Sequence, residues 1–288
     1  VYIGYLYHKA DAALANIAGS EPPTTDTAGN NGAAETGAKG EKPITFLLAG
    51  IDSRQGSGGT LNTDVIMLAA LDPNSRAATL VSLPRDLQLK PENLPAHKAN
   101  YYYAYYYNKD RETAIANTKK LFGELLHIPI DYMAIINFDG FRKLVDALGG
   151  LTIDVDMDMR YTDSEDGTNI DLRKGLQTLD GKQTLDFVRY RKSNRGTGES
   201  TDLARNKRQQ QVLDKLLGKL TSLNGLTQWG SVLDIIGQSV KTDIPEPQLR
   251  QWIVNIRDMK PQTIEYVPID GRWDSPYIVP TEEDFEKA

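Results

Sequence analysis

The chain has 288 residues, 40% hydrophobic and 25% charged, with a formal net charge of −6. That composition is ordinary for a globular protein and speaks against general attraction to nucleic acid, so any anion site must be local and built from clustered arginines. There is no cysteine, which excludes a disulfide framework and thiolate metal sites, and His8, His97 and His127 lack zinc-ligand spacing.

The chain opens with the apolar and aromatic run Val1-Tyr2-Ile3-Gly4-Tyr5-Leu6-Tyr7, too short to span a bilayer. Residues 1–18 read as the juxtamembrane stub of a removed N-terminal anchor; the competing reading is an amphipathic helix continuing through Ala10–Ile17. Residues 19–42 hold almost no large apolar side chain and read as a flexible linker. A folded domain is expected over 43–272, with a peripheral tail over 273–288.

Within that domain Ile44–Ala49 reads as a buried strand. Val65–Leu71 and Ala78–Leu83 read as two more, joined as an antiparallel hairpin by the turn-forming Asp72-Pro73-Asn74-Ser75. Tyr101–Tyr107 contains six tyrosines. It is expected to half-pack on the domain with its hydroxyls reaching water, the alternative being an aromatic wall for a ligand. Helical spacing covers Asp110–Leu126, a strand Met133–Phe138, and a short helix Asp139–Leu148 stopped by Gly149-Gly150. Leu151–Val155 reads as a strand continuing to Met159. Its acids Asp154, Asp156 and Asp158 lack the glycine and glutamate of a calcium loop and read as a solvated face. Asp180–Arg189 is a helix or its approach. Thr201 is a candidate N-cap for a long helix from Asp202 to Leu220. Helices over Thr227–Val240 and Pro247–Met259 and a strand over Thr263–Pro268 complete an α/β single domain, its central mixed, largely antiparallel sheet sandwiched between helices.

The long helix carries an anomaly. At 100° per residue Asp202, Arg205 and Gln209 fall within about 60° of each other, on the side bearing Val212, Leu213, Leu216 and Leu220. Polar groups on a core-facing stripe need partners. Arg189 and Arg191, read as alternate residues of extended chain, form one cationic clamp. Arg85 follows the third strand, while Asp52 and Asp64 flank the first two at one sheet edge. Clustered arginines suit phosphate through bidentate geometry. Two carboxylates suit Mg²⁺, which takes the rest of its shell from phosphate oxygens and water. Together they describe a diphosphate site.

The blocks GIDSR, NTDVIML, SLPRD, HKAN, LDGKQTLDFVRYR and DLARNKRQQ, with the Asp139–Gly150 helix between them, resemble in order the signature blocks of the LytR–CpsA–Psr family. The resemblance covers roughly Pro43 to Leu217. It implies an enzyme anchored by a single span on the extracytoplasmic face of a Gram-positive membrane. Such an enzyme moves a glycopolymer, such as wall teichoic acid or capsule, from an undecaprenyl-diphosphate carrier to peptidoglycan. Carried over by motif, Asp52 and Asp64 hold Mg²⁺; Arg85, Arg189, Arg191, Arg205 and Gln209 bind the diphosphate; Asp202 orients arginines or acts as a base. Asn62 stands where the family often has an arginine, with Arg54 as a compensating charge. The resemblance also implies a prenyl tunnel, for which Phe138, Phe141, Leu144, Val145, Leu148, Val232, Leu233, Ile235 and Ile236 are candidates, although core packing explains each equally well. Two other activities stay open from the residues: a prenyl-diphosphate-binding regulator without transferase activity, and a prenyl-diphosphate hydrolase.

Overall fold

The computed structural model describes residues 2–18, 42–52, 61–165, 167–223, 226–269 and 271–288, with the side chains of 2–8, 202, 226–228, 257 and 284 left aside. Helix α1 (Tyr2–Ile17) precedes β1 (Ile44–Ile51), β2 (Thr63–Asp72) and β3 (Ala77–Leu83). The β2–β3 connection is the expected antiparallel hairpin. Its turn is held by Asp72, which accepts from Asn74 N at 2.9 Å and from Ser75 Oγ at 2.7 Å. A small ribbon, β4 (Gln88–Leu89) with β5 (His97–Lys98), leads into α2 (Tyr102–Lys109), α3 (Ala114–Leu126), β6 (Tyr132–Asn137) and α4 (Phe138–Ala147). Asn137 caps α4, and Gly149 and Gly150 follow it at φ 80° and 85°, the left-handed conformation that ends a helix without steric cost.

Next come β7 (Leu151–Val155), β8 (Met159–Asp163), β9 (Thr168–Leu172) and β10 (Gly175–Leu179), then α5 (Gly181–Arg189), α6 (Asp202–Thr221), α7 (Leu226–Ser239) and β11 (Val240–Thr242). The chain closes with α8 (Glu246–Val254), α9 (Ile256–Met259), β12 (Thr263–Pro268), β13 (Gly271–Asp274), β14 (Tyr277–Pro280) and α10 (Glu282–Lys287). The main sheet has the order β11-β6-β1-β2-β3-β12. β6 and β12 run parallel to their neighbours β1 and β3, and the other pairings are antiparallel.

The two faces of this sheet are finished differently. Leu47, Ala49, Ile66, Leu68, Val81, Leu83, Met133 and Ile135 alternate onto one face and are sealed by Tyr102, Tyr103 and Phe122 of α2 and α3. On the other face Met67 and Leu80 are buried, but Phe46, Leu48, Val65, Ala134 and Ile136 stay only partly buried, although β1 is a central strand. That face meets Trp252 of α8, whose ring centroid lies 5.7 Å from that of Phe46, and Gln209 of α6, which bonds Ser82.

Several expectations need correction. The tyrosine run is helical from Tyr102 on, and Tyr102 and Tyr103 are core: Tyr102 is 0% exposed and its hydroxyl donates to Leu89 O and Pro95 O. Residues 110–113 precede α3 because Asp110 takes Glu112 N and Thr113 Oγ1 into a local turn. The strand at Leu151 stops at Val155, and the hairpin β8–β9 follows. Residues 273–288 are not peripheral, since Ile278 is buried in the main cluster with Phe285 against it, and Ile278 N donates to Asp86 O at 2.9 Å. Of the tunnel candidates, Leu144, Leu148 and Val232 are buried together with Leu223, and Val145 belongs to a second cluster under α5 and α6. These are core positions.

Helix α1 docks on α7 through Ala13, Leu14 and Ile17, and Gly237 leaves room for the Ala13 backbone. α4 approaches α7 in the same way at Gly140, where an added Cβ would overlap the Ser239 side chain. Replacing Gly140 with Ala should therefore lower stability by about 1–3 kcal/mol through overpacking. A urea titration should place the midpoint below wild type and show partial recovery on adding Ser239→Gly.

Candidate functional site

β1 and β2 pair antiparallel, and their register slips between Gly50 and Ile51, beside the site. The slip leaves Asp52, just past β1, and Asp64, near the start of β2, at the same end of the sheet. Each carboxylate receives an arginine. Asp64 Oδ1 accepts from Arg85 Nη1 at 3.0 Å, and Asp52 Oδ2 from Arg189 Nη2 at 3.3 Å. Arg85 is fixed from behind, because Asn100 N donates to its carbonyl at 3.1 Å and Ala99 N to the Leu87 carbonyl at 2.8 Å. The segment His97–Asn100 is thus strapped to the end of β3.

The organising group is one that sequence reasoning left out. The Asp86 side chain is 6% exposed and faces Lys98 Nζ at 2.9 Å, Arg191 Nη2 at 3.2 Å and Arg85 Nε at 3.8 Å. Burial works to raise its carboxyl, but the Lys98 ammonium, with Arg85 and Arg191, holds it below the usual carboxylate value. Burial, and then the nearby Arg85 and Arg205 charges, lower the pKa of the Arg191 guanidinium in turn. The SLPRD block already contained the signal, in an aspartate directly behind an arginine that ends a strand.

Arg189 and Arg191 are not one extended clamp. α5 continues through Arg189, and Tyr190, 1% exposed, is an anchor between them. The two arginines consequently reach different acids, Asp52 and Asp86. The Arg189 guanidinium also lies 5.3 Å from the Phe138 ring centroid.

Thr201 caps α6 as expected, its hydroxyl accepting from Ala204 N at 3.1 Å. Gln209 Oε1 accepts from Ser82 Oγ at 3.0 Å, which ties the helix to the end of β3, and Arg205 is partly buried one turn earlier. Among the described side chains of α6 the most buried charge is neither of these. Arg208 is 2% exposed and donates to both Asp156 oxygens at 2.8 and 2.7 Å, and to Ser200 Oγ at 2.9 Å. Its guanidinium stands 5.8 Å from the ring centroids of Phe187 and Tyr190. Arg208 thereby holds both ends of the 190–200 loop that carries Arg191. Stepping the Val212–Leu216 stripe back one turn lands on residue 208, so its burial was readable from the helical period. Asp156 accordingly serves as this arginine's partner, not only as solvated surface.

Arg54 and the Asp202 side chain lie outside the described residues. Asn62 is partly buried immediately before β2. Arg85, Arg191 and Arg205 come together, with Arg189 and Gln209 at the same sheet end. Among the described residues no group of three or more His, Cys, Asp or Glu could hold a metal ion; Asp52 and Asp64 are the two carboxylates at this sheet end, each bonded to its own arginine. Their hard oxygen donors and number match an ion whose remaining ligands come from phosphate and water.

Residues 2–285 match the profile of the LytR_cpsA_psr family. A polyisoprenyl-teichoic acid–peptidoglycan teichoic acid transferase, TagU of Bacillus cereus (strain AH820), is 31% identical over 270 residues, covering 93% of this chain and 82% of that protein. The crystal structure of Bacillus subtilis TagV superposes with a TM-score of 0.65 at 25% identity, over 85% of this chain and 94% of that one. A structure titled LytR-CPS2A-psr family protein YwtF (TagT) with bound octaprenyl pyrophosphate lipid gives 0.60 at 22% identity, over 86% and 88% of the two chains, a likeness of fold.

Replacing Asp86 with Asn would leave Lys98, Arg85 and Arg191 converging on a neutral group. At neutral pH the loss should be about 1–3 kcal/mol, less than for a fully buried pair because each cation is a third or more open to solvent. Since the folded pKa of Asp86 is depressed below 3.8, its contribution is fully present above that value and disappears as the pH falls through the lower folded one. Urea midpoints of wild type and Asp86→Asn should differ at neutral pH and converge in acid.

Proposed function

The chain belongs to the LytR–CpsA–Psr family, and we propose that it transfers a teichoic-acid-type glycopolymer from a polyprenyl-diphosphate carrier to peptidoglycan, forming a phosphodiester link. The relative named above carries that activity in its name. The observation that carries the reading for this chain is the conjunction of the arginine cluster with the half-open sheet face. Leu48, Val65 and Ile136 lie on the central strands, with Gly50 of β1 against the Phe138 ring, yet the three are incompletely buried. Apolar side chains in such a place are normally sealed. Partly buried apolar side chains on the same sheet as a set of arginines suit contact with a lipid chain ending in a diphosphate.

In this reading Arg85, Arg191 and Arg205 hold the diphosphate oxygens, and Asp86 with Lys98 keeps Arg85 and Arg191 in place. Arg189 and Gln209 bound the same pocket from α5 and α6. Asp52 and Asp64 are the residues that would hold Mg²⁺, which when bound supplies charge neutralisation on the diphosphate. The acceptor hydroxyl oxygen bonds to the polymer-side phosphorus as that phosphorus separates from the bridging oxygen. Prenyl phosphate leaves with the electron pair, its new charge met by the arginines. The hydroxyl proton passes to a carboxylate, for which Asp52, Asp64 and Asp202 are the candidates. In this reading the domain works on a lipid-borne substrate at the outer surface of the membrane; among the described residues no helix is long and apolar enough to cross a bilayer.

The reading is tested with Mg²⁺, lipid-linked polymer and peptidoglycan strands. Arg85→Ala and Asp64→Ala should each slow coupling about 100-fold or more, and chelation should abolish it. Val65→Trp, which enlarges a partly buried side chain on this face, should weaken prenyl-diphosphate binding while leaving the fold intact. Coupling at the wild-type rate in both charge variants would sink the assignment. Phosphate release without an acceptor would instead mark a hydrolase, and tight lipid binding with neither product a regulator.

A further inference from the structure

Outside the diphosphate site, a polar groove runs between α6 and the edge strand β12. Its wider part, about 710 Å³, lies among Arg76, Lys207, Gln210, Lys260, Gln262 and Tyr266. A second hollow of about 340 Å³ continues it past Lys215 and Lys219, and Asp214 and Lys260 line both. From Lys207 to Lys219 the track follows α6 for about 18 Å.

Its charge runs against that of the chain. The molecule carries a net −6, yet Arg76, Lys207, Lys215, Lys219 and Lys260 face this groove against the single acid Asp214. Between the cations stand groups that bond hydroxyls, the amides of Gln210 and Gln262 and the Tyr266 phenol, which donates to Gln210 O at 3.3 Å. The groove begins close to the diphosphate site. Tyr266 pairs with Leu80, and Ser82, the partner of Gln209, follows two residues later on the same face of β3, a separation of about 7 Å.

We propose that this groove is a track for a polyanionic glycopolymer, a chain of sugar or polyol units joined by phosphodiesters. The lysines and arginine would meet the repeating phosphates and the amides and phenol the hydroxyls. The identity of the polymer rests on the transfer reading; the existence of the track does not. A concave channel with hydrogen-bonding groups between its charges fits a threaded polymer better than the flat surface of an acidic bilayer.

The test uses the full chain and poly(glycerol phosphate) carrying no lipid, with binding followed by anisotropy at low salt. Lys207→Glu/Lys215→Glu changes two exposed positions of a helix in which Glu is as acceptable as Lys. This variant should bind the polymer about tenfold more weakly yet hold prenyl diphosphate as wild type does, which also reports that it is folded. Lys207→Gln/Lys215→Gln should fall between the two. Arg85→Ala should do the reverse, losing prenyl diphosphate and keeping the polymer. Unchanged polymer affinity in both lysine variants would overturn the track. So would equal binding of neutral dextran, or an equal loss of binding to vesicles of phosphatidylglycerol and phosphatidylcholine, which would mark a membrane surface. Wild type that binds polymer but no prenyl diphosphate would leave the track standing and remove the transfer reading.

Discussion

Concentrating arginines at one sheet end creates a problem before any ligand arrives, because like charges a few ångströms apart near a protein surface repel by about 4 kcal/mol. Here the repulsion is met by giving the cations separate acids. Arg85 bonds Asp64, Arg189 bonds Asp52, Arg191 bonds Asp86, and Arg208 takes both oxygens of Asp156. Asp86 is the least dispensable of these, since it is buried and touches three cations from three segments of the chain. The end of β3, the β5–α2 strap and the loop after α5 meet on this one carboxylate. An incoming diphosphate can take over from Asp52 and Asp64, which lie nearer solvent, while Asp86 stays in place beneath.

This division also explains what was legible beforehand. The strands, the β2–β3 hairpin, the glycine stop after α4 and the Thr201 cap are local, and their residues announce them. Asp52, Asp64 and Arg85 were readable because each sits where an apolar run breaks. Asp86 was not, because its role depends on Lys98 and Arg191, which no periodicity connects to it. Arg189 and Arg191 misled for a related reason. Two arginines one residue apart look like neighbours on a strand, but the helix ends between them and Tyr190 buries the intervening position. The tail was misjudged because Ile278 packs in the main cluster and its N–H bonds Asp86 O, partners far away in sequence.

The unequal faces of the sheet divide stability from function. The face under α2 and α3 is closed with full-sized apolar and tyrosine side chains, among them Tyr103, whose hydroxyl is pushed up to about 12 by burial and then by Tyr107. The other face is covered by helices that mostly pack on one another: α4 on α7 at Gly140, and α7 on α1 at Gly237. Helices that satisfy each other in this way can bridge a sheet without filling the space against it. Leu48, Val65 and Ile136 can then remain half-buried at little cost to the fold, because the sealed face supplies the core.

Helix α6 is where these arrangements meet, since each of its sides is held by a different neighbour. Arg208 binds the β7–β8 turn at Asp156, Gln211 Oε1 accepts from Asp154 N at 2.9 Å, and Gln209 binds β3. Tyr266 reaches the Gln210 carbonyl from β12. A helix pinned on three sides is a rigid ruler, so Arg205 and Gln209 keep a set distance from Arg85, and Lys207, Lys215 and Lys219 keep theirs from the same point. If the diphosphate is held at one end of this ruler, the attached polymer can leave along the lysines without any element moving. The contacts that pin α6, Arg208 to Asp156 foremost among its buried ones, are therefore the physical link between the arginine cluster and the groove beside it.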